Sequence, residues 1–528
     1  MTRIDERVST HVYKVKRISK EEMESIAGVC VYDQPPFCNA ACPLKLDVKA
    51  MLKAAAENDF KKAFKIYESI APFPLILSAG CGAPCEEKCR LCELGDGIAI
   101  GDIERAVALS GGAGEKRSIF RVRKKKKAAV FGSGLFALLL AGELEKKGYP
   151  VTAICGEADE EEYLRVAAGF LREDDFYTEL KRLRGKDIAF EFNAEMTREL
   201  FEEKRGGFDV LCASEKAALD IFPGAVRDEG IMLMETEGVL TGGGETVLEA
   251  AVGARKAALT ADRLAQGIDP RSARGEEGPV TSRLYTNPDL ARGLIRIKGC
   301  ESGYTREQAA EEAGRCMQCH CDECLRGCAY LRRFNKHPGL LSREIYNNTQ
   351  IIMGDHPLNR AMNACALCGQ CTVTCPHGFD MAHVCRTARE NMVDTDKMPL
   401  AAHEFALLDT LFSNGEAYLC RKQPGHSHCR YVFFPGCQAA AIAPEAVIAA
   451  YEDLCTRLKG GVALMLGCCG AIVHWAGRGE MYGEVRDKIA AELAALEDPV
   501  IIAGCPSCMK LLSEQDMAET VGIWTVLR

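Results

Sequence analysis

Cys365-x-x-Cys368-x-x-Cys371-x-x-x-Cys375-Pro376 is the densest piece of chemistry in this 528-residue sequence. Three cysteines at this spacing can wrap three corners of one iron–sulfur cubane. The fourth points toward a second cluster, and the proline turns the chain off it. Zinc ribbons separate paired Cys-x-x-Cys units by a long gap and do not need such a compressed run. The second cluster of the pair needs Cys316, Cys319 and either Cys324 or Cys321, closed by Cys375. Cys328 then completes the set of Cys365, Cys368 and Cys371. Cys300 and Cys385 have no frame around them and read as buried or spare thiols.

Cys316, Cys319, Cys324 and Cys328 step by three, five and four positions, and Cys30, Asp33, Cys38 and Cys42 repeat those steps with an aspartate in second place. Two copies of one ligand frame explain the echo, and it favours Cys324 over Cys321. Cys81-x-x-x-Cys85-x-x-x-Cys89 follows the first copy. Near the end of the chain stand Cys437, Cys468-Cys469-Gly470 and Cys505-Pro506-Ser507-Cys508.

The 28 cysteines set the compartment. A large chain whose first residues are polar and helix-forming does not read as a secreted disulfide scaffold, and clustered thiols in a reducing cytoplasm mean metal. The net charge of −9 argues against a nucleic-acid partner. The one basic run, Arg121-Val122-Arg123 to Lys127, reads as a solvated linker before a strand. Ala128 to Gly142 is the longest apolar stretch. It is interrupted by Gly132-Ser133-Gly134 and falls short of the ~20 residues a bilayer span needs, so no membrane insertion is expected.

These motifs require a multidomain α+β and α/β chain. Residues 1–118 are expected to form an α-helical 4Fe–4S domain, and 119–275 a Rossmann-like, truncated FAD-type domain. Residues 276–400 follow as a second α-helical ferredoxin domain and 401–528 as a βαβ-like domain. The second of these rests on a strand at Lys127–Phe131, a Gly-rich turn, a helix at 136–147 and a strand at 150–154. The last rests on strands at 431–434, 462–465 and 500–503 alternating with helices at 444–459 and 480–496.

Phe37-Cys38-x-x-x-Cys42-Pro43, Pro72-Phe73-Pro74, Cys81-Gly82-Ala83-Pro84-Cys85-Glu86 and Ile103-Glu104-Arg105 resemble the amino-terminal iron–sulfur domain of the glutamate synthase small subunit and dihydropyrimidine dehydrogenase. The resemblance implies one cluster on Cys30, Asp33, Cys38 and Cys89 and another on Cys42, Cys81, Cys85 and Glu104. Asp33 departs from the family's cysteine. A carboxylate is a harder donor that leaves iron more labile, and Cys92 is the rival ligand.

The same resemblance implies FAD between the iron–sulfur segments, on Gly132-x-Gly134-x-x-Ala137 at a helix N-terminus and on Gly243, Gly244 and Thr246. Two departures count against a working flavin site. Cys155-Gly156 stands where an acidic residue would bond ribose hydroxyls, and Gly244 replaces an aspartate. The family's pyridine-nucleotide domain has no room. Roughly twenty residues separate the flanking strands, against about a hundred for such a domain, so no NAD(P)H site is expected.

Cys437, Cys468, Cys469, Cys505 and Cys508 resemble the cysteine-rich CCG domain of the heterodisulfide reductase B subunit, where such sets hold a noncubane [4Fe–4S] cluster. Adjacent cysteines cannot easily serve two corners of a compact cubane, so an enlarged cluster makes chemical sense of Cys468-Cys469. The alternative is a [4Fe–4S] or zinc site on four of the five. The paired cubanes upstream resemble the reductase's C subunit. The reductase has two CCG motifs and this sequence has one.

The expected cofactors are therefore four [4Fe–4S] clusters and one noncubane cluster, with FAD at the doubtful site. The expected role is electron relay in an anaerobic, cytoplasmic oxidoreductase complex whose other subunits donate and accept electrons. A thiol/disulfide reductase acting at the CCG cluster and a metal-stapled scaffold are the alternatives.

Overall fold

The structure, a computed structural model, describes residues 19–111, 123–272, 274, 277–299 and 303–528. Cys300 and the first two residues of the basic run, Arg121 and Val122, lie outside the described residues. The chain divides into two compact units: Asp33–Cys321, and Met1–Tyr32 together with Asp322–Arg528.

In the unit Asp33–Cys321, the strands are β1 (Ala128–Phe131), β2 (Val151–Ile154), β3 (Ile188–Glu191), β4 (Val210–Ser214), β5 (Leu233–Met234) and β6 (Val239–Gly242). They form one sheet in the order β3-β2-β1-β4-β6-β5. Neighbours run parallel except β5, which pairs antiparallel with β6. Every residue of β1 is buried, as expected of a central parallel strand covered on both faces.

The helix Val247–Gln266 begins with a capping box between Thr246 and Glu249 and ends at the left-handed Gly267. Its buried stripe of Ala250, Gly253, Ala254, Ala257, Ala258 and Ala261 lets it lie close to the helix Leu135–Lys146. Lys124 pairs with Asp262 and stands over the Tyr149 ring, 4.2 Å from its centroid. Lys126 bonds the carbonyl of Ala265. The described part of the basic run is mostly exposed, as its composition suggests, with Lys124 and Lys126 anchored to this helix.

The helices Val48–Ala56, Phe60–Glu68, Pro74–Gly80 and Ile100–Ser110 form a second core around Met51, Tyr67, Leu75 and Ile103. Helix Arg306–Gly314, expected to open a separate ferredoxin domain, packs into this same core through Ala309, Ala313 and Met317. Ala309 and Ala313, four residues apart, share one helix face, and that face is buried here.

In the other unit, strands β7 (Leu419–Arg421), β8 (Tyr431–Phe434), β9 (Val462–Leu466), β10 (Val500–Ala503) and β11 (Thr520–Gly522) form a sheet in the order β11-β10-β8-β9-β7. All neighbours are parallel except β7 with β9. Helix Pro444–Arg457 covers one face, and Gly479–Ala495 with Pro506–Glu514 the other. The rest of this unit is helical and surrounds Leu331, Leu341, Ile345, Met362 and Cys385. No helix among the described residues is long and apolar enough to cross a membrane.

Candidate iron–sulfur sites

Four short segments bring Cys42, Cys81, Cys85 and Glu104 together in the unit Asp33–Cys321. Cys42 closes the helix Phe37–Ala41, Cys81 closes Pro74–Gly80, and Cys85 lies on Pro84–Glu87 after a left-handed Ala83. Glu104 projects from Ile100–Ser110 and is 3 % exposed. Burial, then the Glu104 carboxyl, pushes the Cys81 thiol up to about 12, and Cys85 rises for the same two reasons. Glu104 is itself pushed up to about 8 by burial and by Glu86, opposed by the Tyr67 hydroxyl. Four acids gathered in a buried pocket resist ionisation, and a cationic iron centre would favour their charged forms.

A second group in the same unit is Cys38, Cys89, Cys316 and Cys319. Burial raises the Cys38 thiol, and Cys316, Cys319 and Cys89 raise it further. Burial likewise pushes Cys316 up to about 11, with Cys319 and Cys89 adding to it. Asp33 is exposed. Cys30 lies in the other unit, against Gly339 on the helix Pro338–Gln350. Cys92 is exposed, its sulfur 3.5 Å from the carbonyl of Glu86.

In the unit holding Cys30, that residue packs with Cys324, Cys328, Cys365, Cys371, Cys375 and Cys385 around one apolar core, while Cys368 is exposed. The expected set of Cys316, Cys319, Cys324 and Cys375 is divided between the two units, and Cys321 falls with Cys316 and Cys319. Cys385, read from sequence as spare, is fully buried and faces both Cys365 and the Tyr330 hydroxyl, 3.6 Å away. Their mutual hydrogen bond lowers Cys365 and raises Cys385. Arg389 reaches the carbonyls of Met362 and Cys365.

The five cysteines of the CCG motif converge where β8, β9 and β10 end, the crevice in which open parallel sheets bind ligands. Cys437 begins the helix after β8, Cys468 and Cys469 follow β9, and Cys505 caps the helix Pro506–Glu514 after β10. Gly436, at φ +86°, lets the β8 turn pass against Cys505 and Cys508, where a side chain would lie 3.2 Å from both. The thiols form a hydrogen-bonded chain. Cys437 and Cys469 donate to Cys468, which is strongly lowered, and Cys505 is lowered by its bond with Cys508. The backbone N–H of Gly470 adds a donor 3.4 Å from the Cys468 sulfur.

Asp409, on the helix Glu404–Asn414, was not legible as a site residue. Its carboxylate and the sulfurs of Cys437 and Cys468 lie within 4.8 Å of one another. No spacing in the sequence ties residue 409 to 437, since it is tertiary packing that brings this helix to the strand ends. Asn414 from the same helix accepts from the Cys468 N–H at 3.0 Å and donates to the Cys468 carbonyl at 3.2 Å.

The residues of the FAD-type motif divide by what surrounds them. Gly134 caps the helix Leu135–Lys146 with open space where a side chain would stand, as a phosphate cradle requires. Ala137 is buried behind it. Gly132 passes against Ser214 and Ala217, Gly243 faces the Glu215 carboxylate, and Gly244 lies against the Ala250 N–H. Thr246 is occupied as a helix cap. Cys155, at the ribose position, is fully buried. The residues fit the phosphates of a dinucleotide but not its ribose, and an acidic group crowds the closing glycines.

Three family models match the chain. Residues 7–112 match dihydropyrimidine dehydrogenase domain II, 4Fe-4S cluster. Residues 315–380 match a 4Fe-4S dicluster domain, and residues 431–513 a cysteine-rich domain. The chain therefore carries 4Fe–4S segments together with a cysteine-rich domain. Over 119 residues it is 29% identical to the NADPH-Fe(3+) oxidoreductase subunit beta of Geobacter sulfurreducens, covering 22% of this chain and 17% of that protein. Over 159 residues it is 28% identical to the NADP(+)-dependent formate dehydrogenase subunit beta of Moorella thermoacetica, covering 25% and 21%. The glutamate synthase [NADPH] small chain of Azospirillum brasilense is 29% identical over 146 residues, covering 26% and 29%. The chain thus spans less than a third of the length of each of these relatives.

Proposed function

We propose that this chain is a multi-cluster electron-transfer subunit of a heterodisulfide-reductase-like oxidoreductase complex that works in an anaerobic cytoplasm. The observation that carries the reading is the convergence of Cys437, Cys468, Cys469, Cys505 and Cys508 at three strand ends, in a chain that also matches two 4Fe–4S families. Iron–sulfur clusters, when bound, supply one-electron transfer with little rearrangement, at potentials set by ligands and surroundings.

Cys42, Cys81, Cys85 and Glu104 would hold one cubane, and Cys328, Cys365, Cys368 and Cys371 another. The five CCG cysteines would hold the noncubane cluster. Around these sets the protein contributes burial and nearby cations. Burial raises the Cys42 thiol against the opposing pull of Arg255, and Cys365 is lowered by Cys385, with Arg389 adding to it. The relatives are named as subunits of oxidoreductases, which supports electron donors and acceptors on separate chains. Flavin has no step in this reading, because the ribose position is the buried Cys155.

Anaerobic purification tests the proposal directly. Iron and sulfide analysis, EPR of the reduced protein and flavin extraction should together give several reducible clusters. A colourless or zinc-loaded protein would sink it.

A second reading, catalysis on a thiol or disulfide at the CCG site, is favoured by one observation: the Asp409 carboxylate stands against Cys437 and Cys468. Turnover of a disulfide with a reduced viologen as donor would select it over relay.

A further inference from the structure

Cys38, Cys89, Cys316 and Cys319 reach a common place from three stretches of chain, and neither copy of the sequence frame groups them. We propose that these four thiols are the ligand set of one [4Fe–4S] cluster. Cys316-x-x-Cys319 then gives the N-terminal domain the two donors expected of Cys30 and Asp33. The inference rests on the iron–sulfur reading above and names a site within it.

The local geometry supports the set on both sides. Cys38, Cys89, Cys316 and Cys319 all pack against the one apolar core built on Met51, Tyr67 and Ile103. The loop that carries the pair is tied to the helix Val48–Ala56. Lys49 Nζ donates to the Cys319 carbonyl at 2.9 Å, and Gln318 Nε2 donates to the Lys49 carbonyl at 3.3 Å. Gln318, held at φ +50°, also lies 3.3 Å from the Cys316 sulfur.

On the other side, a buried ion pair fixes the approach. Glu312 is fully buried, pairs with Arg315, and accepts from the N–H groups of Ala99 at 3.0 Å and Ile297 at 2.9 Å. Arg315 donates to the Asp96 carbonyl at 2.6 Å. Residues 312 and 315 immediately precede Cys316, and residues 96 and 99 follow Cys89. The pair therefore sets one cysteine segment against the other.

Rival ligands are poorly disposed. Asp33 is exposed, and the Cys92 sulfur is turned to the Glu86 carbonyl, 3.5 Å away. Four thiolates form a uniformly soft set, which iron–sulfur clusters prefer to a carboxylate. The repeated spacing of the two frames then reflects similar local turns rather than two equivalent ligand sets.

The full-length chain, purified anaerobically, gives the test. Cys38→Ala and Cys319→Ala should each remove about four irons, one cubane's worth, and the double variant should remove no more than either alone. Asp33→Asn should keep its iron. Losses that add to about eight irons in the double variant would put Cys38 and Cys319 on different clusters and overturn the inference. A second measurement does not depend on the variants folding. The wild-type chain, stripped of iron and oxidised with ferricyanide, should yield disulfides joining the peptides of Cys38 or Cys89 to the peptide of Cys316 and Cys319. Disulfides from that peptide to Cys324 or Cys375 alone, or to Cys92 alone, would refute the set. A wild-type chain with no iron at all would instead overturn the functional reading beneath it.

Discussion

The sulfurs of Cys437 and Cys468 face each other across the ends of β8 and β9, in hydrogen-bond contact and with the Asp409 carboxylate within 4.8 Å of both. Strand pairing creates this contact: Tyr431 and Val462 are in register, so the turns leaving the two strands emerge side by side.

A fixed anion at that distance disfavours adding an electron. Asp409→Asn should therefore raise the reduction potential of the CCG cluster, on the order of 100 mV for a unit charge a few ångströms away in a partly screened site. Redox-poised EPR of the variant and the wild type would read it. An unchanged potential would mean the carboxylate is screened, and lost iron would mean that it is a ligand.

As a ligand, Glu104 would tie cluster assembly to pH. Its carboxyl, pushed up to about 8, stays protonated at neutral pH in the empty site, so iron must displace a proton to bind there. Affinity should rise with pH as the thiols and Glu104 lose their protons, and Glu104→Gln should flatten that dependence below about pH 8 by about one proton, close to one log unit in affinity per pH unit. Reconstitution of the iron-free chain between pH 6.5 and 8.5, followed by iron content, would measure it. An equally steep profile in the variant would exclude Glu104.

Much of this arrangement was legible in the sequence, and the part that was not has a physical reason. β1, β2, β8, β9 and β10 fall where apolar runs bounded by glycine and proline place them, and the convergence of the CCG cysteines follows from strand–turn–helix order. The set of Cys42, Cys81, Cys85 and Glu104 was legible through the family resemblance, and short helices that end at Cys42 and Cys81 help to bring it together. The grouping of Cys316 with Cys38 was hidden. Ligand spacing records only local turns, whereas the partner of Cys316 is chosen by the packing of helix Arg306–Gly314 more than 200 residues away from Cys38 in sequence. Asp409 was hidden for the same reason. β3, β7 and β11 lack such an apolar run, since each carries a polar residue (Glu191, Arg421 or Thr520) and is only partly buried.

The Glu312–Arg315 pair makes a stability prediction that also reports on iron. Removing one partner leaves a buried charge uncompensated, and Glu312→Ala should cost about 3–5 kcal/mol. It should also free the backbone N–H groups of Ala99 and Ile297 and loosen the approach to Cys316. The expected result is a lower unfolding midpoint together with a selective loss of about four irons. A variant that unfolds earlier but keeps full iron until it unfolds would separate the two effects.

His403 supplies a pH-dependent stability term of its own. It is buried, and burial, then Arg478 and Arg389, lower it to about 4. Nε2 lies 3.0 Å from the Asn363 side-chain oxygen, which selects the neutral tautomer that donates there. Nδ1 has no hydrogen-bond partner, so a second proton would stand in an apolar setting without an acceptor. The unfolded chain binds that proton near pH 6.5 and the folded one only near 4, so in this window the unfolded state holds more protons. Stability is then complete above about pH 6.5 and falls as pH drops toward 4, by at most ~3 kcal/mol. His403→Gln keeps a donor for Asn363 and cannot charge. Anaerobic urea unfolding at pH 7 and pH 5 should show the wild type losing more stability than the variant. Equal losses would mean that His403 is already solvated enough to protonate in the folded state.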